Sequence, residues 1–481
     1  MSQPSPASSP SPSSGSSLPG GKDGRETLGS RLGFLFLSAG CAIGLGNVWR
    51  FPFITGQYGG ALFVAVYLFF LIAVGLPILI MEFSVGRAAR RNMGDALRQL
   101  EPKGARWHRF GWFSLAGSYL LMMFYIPVAG WMLSYCWYMG SGELTSLTPQ
   151  AVGAFFDGVL QDPWGMTGWS LAVLIMGVGV CGVGVRKGLE PVVKYMMLGL
   201  LLIMIGLALR AVTLDGAAEG IAFYLAPDFA RMKAAGILNV VSAAMNQAFF
   251  TLSIGMGGMM IFGSYLDERR SLTGESMLIV GLDTFVALTA GLIIFPACFA
   301  FGVKPDSGPG LVFITLPNIF NAMDGGRFWG SLFFVFMSCA ALSTVIGVVE
   351  NIISYSMDVW GWSRKKSTLV HALGLAVLMM PCILGFNRLS FITPFGPGSG
   401  IMDVEDFIVS NNILTLGSFV MLLFCTSRRG WGWRNFLAEA DKGDGAKFPA
   451  LLRPFLAYVL PVVVFALFVQ GYIDKFSPLF R

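Results

Sequence analysis

The chain has 481 residues, 55% of them hydrophobic and only 12% charged, with a formal net charge of +6. A soluble globular chain carries about twice that charged fraction, and the mean hydropathy here is strongly positive, +0.67. These proportions exclude a soluble multidomain enzyme, which would need polar surface that the chain lacks, and place the protein in the membrane class.

In chain order, residues 1–20 (MSQPSPASSPSPSSGSSLPG) are Ser, Pro and Gly with almost no apolar side chains. Such a composition cannot bury enough surface to fold and predicts a disordered cytoplasmic tail over 1–24. No short apolar stretch follows a basic start, so a secretory signal is not expected. Eleven apolar stretches long enough to span a bilayer follow, at 31–54, 60–85, 110–139, 168–185, 189–211, 237–262, 274–302, 329–357, 369–386, 405–425 and 450–473. The fourth is short and glycine-rich. With the N-terminus inside, the inner segments hold most of the 33 basic residues, while the loop 140–166 has none. The positive-inside rule then predicts a cytoplasmic N-terminus and an external C-terminus. The net positive charge reads as a cytoplasmic collar facing anionic lipid and calls for no nucleic-acid partner.

The seven cysteines fall in or beside apolar stretches and form no CxxC pair, so buried thiols are expected rather than a metal or redox motif. The only histidines are His108 and His371, too few for a His-rich metal site or a haem. No Asn-x-Ser/Thr sequon occurs, which points toward a bacterial origin.

Two spans carry glycine clusters at similar depth: Gly40, Gly44 and Gly46 in the first, and Gly255, Gly257 and Gly258 in the sixth. These spans open the two halves of a five-plus-five arrangement. Helices interrupted at matching positions mark a midplane binding site in secondary transporters. Unwound backbone is tolerated in the bilayer only where its polar groups find partners. Close helix packing is the competing explanation for either cluster alone.

The segment GCAIGLGNVWRFP at 40–52, with Gly59 and Gly60, resembles the first-span signature of the neurotransmitter:sodium symporter family, and QAFFTLSIGMG at 247–257 resembles its sixth-span signature. Glu82 in IMEFSVGR, Tyr125 in MMFYIPVAGW, AALST at 340–344 and Asp406 in DVEDF match in the same order, so the likeness covers residues 25 to about 425. The resemblance implies an all-α membrane protein of the LeuT type. Its inverted repeat of spans 1–5 and 6–10 forms a transporter core over 25–425, and the loop, eleventh span and short external tail follow over 426–481. Eleven spans match the shorter bacterial members.

The resemblance also implies a site for a zwitterionic amino acid and two sodium ions. The carboxylate is expected on the backbone N–H groups of Leu45 and Gly46, at a half-helix N-terminus, and on the Tyr125 hydroxyl. The ammonium is expected on carbonyls near Ala42, Phe250 and Thr251, and on Ser253. Amine-carrying relatives have an aspartate where this chain has Gly44, so the expected substrate is an amino acid. The first sodium site would use Ala42, Asn47, Thr251 and Asp283. The second would use Gly40, Ile43, Ala340, Ser343 and Thr344, again all oxygen ligands. The side-chain pocket would be lined by Leu121, Val128, Phe250, Ser253, Met256, Val345 and Val348, which suits a hydrophobic or aromatic side chain. Arg50 with Asp406 would form an outer gate, and Arg25 with Asp358 and Tyr265 an inner one. Glu82 would accept hydrogen bonds from unwound backbone.

Chloride is not expected to be required. Tyr67 and Gln247 keep part of the family's anion cradle, but Asp283 stands where many members have asparagine, and Ala287 where chloride-dependent members have serine. A fixed carboxylate roughly 15 Å deep is costly and rarely incidental. It offsets charge that chloride offsets elsewhere, and when the ions leave, a proton could neutralise it on the return step. The expected function is therefore sodium-coupled uptake of a neutral amino acid across a bacterial plasma membrane. A receptor of the same fold that moves nothing is the alternative, although both tails are short for a signalling domain. An intramembrane enzyme is the poorest reading, since no HExxH, nucleophile–base pair or nucleotide loop occurs. The sequence leaves the oligomeric state open.

Overall fold

The computed structural model describes residues 28–145, 147–302 and 310–476. The tail expected over 1–24, and Arg25 of the expected inner gate, lie outside the described residues. Apart from an isolated bridge between Arg270 and Asp444, the regular elements described are helices.

Among the described residues, nine helices are long and apolar enough to cross a membrane: Ala61–Ala89, Trp107–Ser141, Pro163–Val183, Val185–Val212, Leu272–Ala300, Gly326–Trp360, Arg364–Gly385, Ile401–Thr426 and Ala450–Ile473. Arg31–Ala42 and Gly46–Gln57 form a tenth span, bent by 52° at its break. The sixth expected span is a helix pair, Ile237–Thr251 and Gly258–Ser264, separated by residues 252–257. Both glycine clusters therefore mark breaks in the chain's helices. The fourth span begins earlier than expected, at Pro163, and Gly184 alone links it to the fifth.

Local chemistry sets the ends. Ser30 caps the first helix by accepting from the Gly33 N–H, and Asn92, Thr148, Ser271 and Ser363 cap others in the same way. At the break in the sixth span, Gly255 has φ +92°, a conformation that costs an L side chain energy. A Cβ at Gly255 would also lie 2.3 Å from the Leu414 carbonyl oxygen, so span ten packs directly on the break.

The inner half of the first span packs on the fifth, seventh and eighth spans, and the inner half of the sixth on the second. The broken helices are thus enclosed by unbroken ones, as unwound backbone requires. The eleventh span packs mainly on the tenth and stands apart from this core. Segments read as loops contain further helices: Pro149–Gln161, Ala217–Leu225, Phe229–Ala235 and Leu316–Ala322. Pro149–Gln161 and the turn Leu311–Thr315 are held over one end of the spans by an aromatic cluster, in which Phe313 contacts Trp49, Trp131, Tyr135 and Phe156.

Candidate functional site

The two breaks face one another across a small, nearly closed cavity. It is lined by Cys41, Ala42, Gly44, Gly46, Leu121, Tyr125, Phe250, Ser253, Met256, Thr344, Val409 and Leu414. None of these side chains is charged, so a ligand's own charges must be met by backbone dipoles, hydroxyls or ions.

The polar partners gather at one side. The Leu45 N–H donates to the Tyr125 hydroxyl over 3.0 Å, which places together the two donors expected to share a carboxylate. Gly44 lies beneath them. A Cβ there would sit 2.3 Å from the Thr344 hydroxyl oxygen and 2.5 Å from that of Tyr125, so this position has no room for a side chain. The Ser253 hydroxyl donates to the Cys41 carbonyl over 3.2 Å, and the Thr344 hydroxyl to the same oxygen over 3.3 Å.

Beside the cavity, Asn47, Thr251, Asp283 and Tyr67 converge. The Asn47 amide nitrogen donates to the Asp283 carboxylate at 2.8 Å and to its carbonyl at 3.1 Å. The Thr251 hydroxyl lies 3.1 Å from the other carboxylate oxygen, and the Tyr67 hydroxyl donates to that oxygen at 3.5 Å. All four side chains are fully buried. Among the described residues, Asn47 Oδ1 and Gln247 Oε1 are buried with no hydrogen-bond partner, while Gln247 Nε2 donates to the Gly46 carbonyl at 2.8 Å. A buried acceptor without a donor is costly, and a carboxylate beside a free amide oxygen and a hydroxyl is a donor set suited to a hard monovalent cation.

A second group of oxygens lies across the first span. The Ser343 hydroxyl donates to the carbonyls of Ala340 at 2.8 Å and Ile43 at 3.3 Å. Gly40 faces Ser343, since a Cβ built on it would come within 3.3 Å of the serine Cβ. Gly40, Ile43, Ala340 and Ser343 are thus together, and Thr344 turns toward the cavity at the breaks.

An outer chamber of about 870 Å³ empty volume adjoins the cavity, and Tyr125 and Phe250 line both. Leu45 and Val128 face this chamber. Val345, expected in the side-chain pocket, packs over Gly177 of the fourth span instead, 2.9 Å from where a Cβ would stand. The reason is helical geometry: Val345 follows Thr344 and points about 100° away from it. Val348, four residues after Thr344, shares its face and is buried. The Arg50 guanidinium lies 4.4 Å from the Phe250 ring centre and 3.8 Å from the Asp406 carboxylate. Ser410 bridges the pair, accepting from Arg50 at 3.0 Å and donating to Asp406 at 2.8 Å.

At the inner end, Asp358 accepts from the Asn92 N–H at 2.7 Å and from its side-chain amide at 3.3 Å. Tyr265 donates to Glu350 at 2.9 Å and contacts Ser354, and Arg364 pairs with Glu350 at 2.8 Å. Glu82 accepts from the Gly255 N–H at 2.5 Å, satisfying backbone freed at the break. Sequence reasoning missed Glu350, Cys41, Val409 and Leu414. A carboxylate within a span was the available signal for Glu350; apolar residues in apolar spans carry no such signal.

The family model described as the sodium:neurotransmitter symporter family matches residues 25–147 and 156–480. The chain is 34% identical over 443 residues to the sodium-dependent transporter YhdH of Bacillus subtilis (strain 168), covering 92% of this chain and 96% of that protein. It is 32% identical over 461 residues to a sodium-dependent transporter of Haemophilus influenzae (strain ATCC 51907 / DSM 11121 / KW20 / Rd), covering 93% and 98%. The crystal structure of MhsT in complex with L-phenylalanine matches with a TM-score of 0.85 at 38% identity, over 93% of this chain and all of that one.

Proposed function

The chain belongs to the sodium:neurotransmitter symporter family, is a multi-pass sodium-dependent transporter of the LeuT-type fold and not an enzyme, and from that premise we propose that it carries a neutral hydrophobic or aromatic L-amino acid into a bacterial cell together with two sodium ions. The observation that carries the reading is the juxtaposition at the two breaks. Asn47, Thr251 and Asp283 form one oxygen cluster beside a cavity where the Leu45 N–H and the Tyr125 hydroxyl meet. The substrate carboxylate would take those two donors and complete the first sodium site with Ala42. Ion and substrate then raise each other's affinity by the same factor. Ser253 and the carbonyls of Ala42, Phe250 and Thr251 would take the ammonium. The second ion would lie among Gly40, Ile43, Ala340, Ser343 and Thr344.

The substrate class is supported by a lining of Leu121, Phe250 and Met256 without a charged side chain, and by the L-phenylalanine bound to MhsT. Met is a deformable wall that suits more than one apolar side chain. Arg50, Phe250 and Asp406 would open and close the outer route, and Arg25 with Asp358 and Tyr265 the inner one. Chloride independence is supported by Asp283, whose carboxylate already takes the Tyr67 hydroxyl, and by the methyl of Ala287. The N-terminus is assigned to the cytoplasm by the distribution of basic residues. The test is equilibrium binding of labelled L-phenylalanine to purified protein, titrated with sodium chloride, sodium gluconate and choline chloride. Saturable binding is expected in both sodium salts and none in choline. Binding undiminished in choline overturns the coupling, and failure of the whole hydrophobic and aromatic set to bind overturns the substrate class.

A further inference from the structure

The tenth span is not a uniform α-helix. Ile401–Phe407 is α-helical, Ile408–Leu414 is a π-helical stretch, and Thr415–Thr426 resumes the α-helix. π-Turns within α-helices often occur at functional sites, and this one lies against the break in the sixth span. Two of its residues, Val409 and Leu414, border the substrate cavity, at 0% and 2% exposure. Five residues apart in an α-helix, their side chains would diverge by about 140° and could not both reach one small cavity. Bonding from i to i+5 brings residues at that spacing to one side.

The wall cannot retreat. A Cβ at Gly255 would strike the Leu414 carbonyl at 2.3 Å, and one at Gly417 would strike the Gly255 carbonyl at 2.0 Å. Ile413 Cγ2 is held over Gly117 of the third span, 2.3 Å from where a Cβ would stand. Span ten is thereby fixed in register against spans three and six. Ser410, between the two wall residues, joins Arg50 to Asp406 in the outer gate.

We propose that Val409 and Leu414 are specificity-determining residues, presented by the π-helical turn of the tenth span, that close the apolar end of the substrate cavity and set the largest side chain it accepts. The inference rests on the proposed amino-acid substrate and extends the pocket to an element on which no substrate contact was expected. Because the π-turn also carries Ser410, a large side chain pressing on Val409 acts on the strand of contacts that holds the outer gate.

The test is competition binding at saturating sodium, with wild type, Val409→Ala, Val409→Ile and Leu414→Ala, against L-alanine, L-leucine, L-phenylalanine and L-tryptophan. One methylene in a hydrophobic pocket discriminates by about 10–200-fold. Val409→Ala and Leu414→Ala are therefore expected to shift the tryptophan-to-leucine affinity ratio at least about tenfold toward tryptophan, and Val409→Ile to shift it toward the smaller side chain. Sodium-dependent thermal stabilisation of each variant reports folding separately. A wild type that binds none of the four overturns the substrate reading and this inference with it. A wild type that binds, with folded variants that keep its ranking within about twofold, overturns this inference alone, because such a ratio lies below one methylene's worth of discrimination.

Discussion

Asn47 is the central residue of the proposed first ion site. Its amide nitrogen orients Asp283 while its oxygen is buried with no partner among the described residues. Asn47→Ala is expected to weaken sodium and substrate binding together, each by a factor within the usual coupling range of about 5–150. Paired titrations check it, and a variant that loses one affinity and keeps the other contradicts a shared site. Gly44 gives a second prediction. Any side chain there meets the Thr344 and Tyr125 hydroxyl oxygens at 2.3 and 2.5 Å, so Gly44→Ala should reduce amino-acid binding about 5- to 150-fold, since overpacking a tight site costs about 1–3 kcal/mol. Unchanged substrate affinity would show that the Tyr125 hydroxyl is not part of the carboxylate site. These residues were legible in the sequence because their chemistry is local to short motifs. Val345 was misplaced because adjacent residues on a helix point apart, and Val409 and Leu414 were hidden because only the π-turn brings them to one side.

Among the elements, the broken helices were legible from glycine clusters in apolar spans, and the structure shows how their freed groups are answered. Glu82 on the second span takes the Gly255 N–H, and the tenth span covers the break. The short helices between the spans were not legible. Pro149–Gln161 and Ala217–Leu225 are short, and tertiary aromatic contacts hold elements that propensity alone leaves marginal. The inner latch was equally hidden, because it joins positions more than 350 apart in sequence. Arg87, 1% exposed, donates to the Glu439 carboxylate at 2.7 Å, to the Glu439 carbonyl at 2.5 Å and to the Arg270 carbonyl at 2.7 Å. It ties the second span to the helix Trp433–Ala440 and to the loop before the seventh span. Removing one partner of a buried pair costs about 3–5 kcal/mol, so Arg87→Ala should sharply lower the thermal midpoint. Arg98, 65% exposed and paired with Asp95 at 3.8 Å, should lose under about 1 kcal/mol on the same change. Equal losses in thermal melts of the two variants would contradict the latch.

At the scale of the whole molecule, the proposed transport cycle sets two half-helix breaks beside the buried Asp283 carboxylate. In the proposed cycle two sodium ions and a zwitterion would leave excess positive charge, and Asp283 would offset part of it. Transport should therefore be indifferent to replacing chloride by gluconate. The double variant Asp283→Asn with Ala287→Ser, where active, should become chloride-sensitive; a wild type that stops in gluconate contradicts the carboxylate's role. The overall architecture was legible from hydropathy, because a bilayer constrains span length strongly. The Arg50–Asp406 pairing was legible from the family motifs, but the parts played by Ser410 and Phe250 were not, since the four residues come from three different spans. The central claim is that this arrangement moves an amino acid by drawing on a sodium gradient, and the direct measurement is uptake of labelled L-phenylalanine into proteoliposomes under an inward sodium gradient, with choline as the control. Accumulation above the external concentration, abolished in choline and by collapse of the gradient, is the predicted result. Sodium-dependent binding without any gradient-driven accumulation would contradict it and leave a receptor of the same fold.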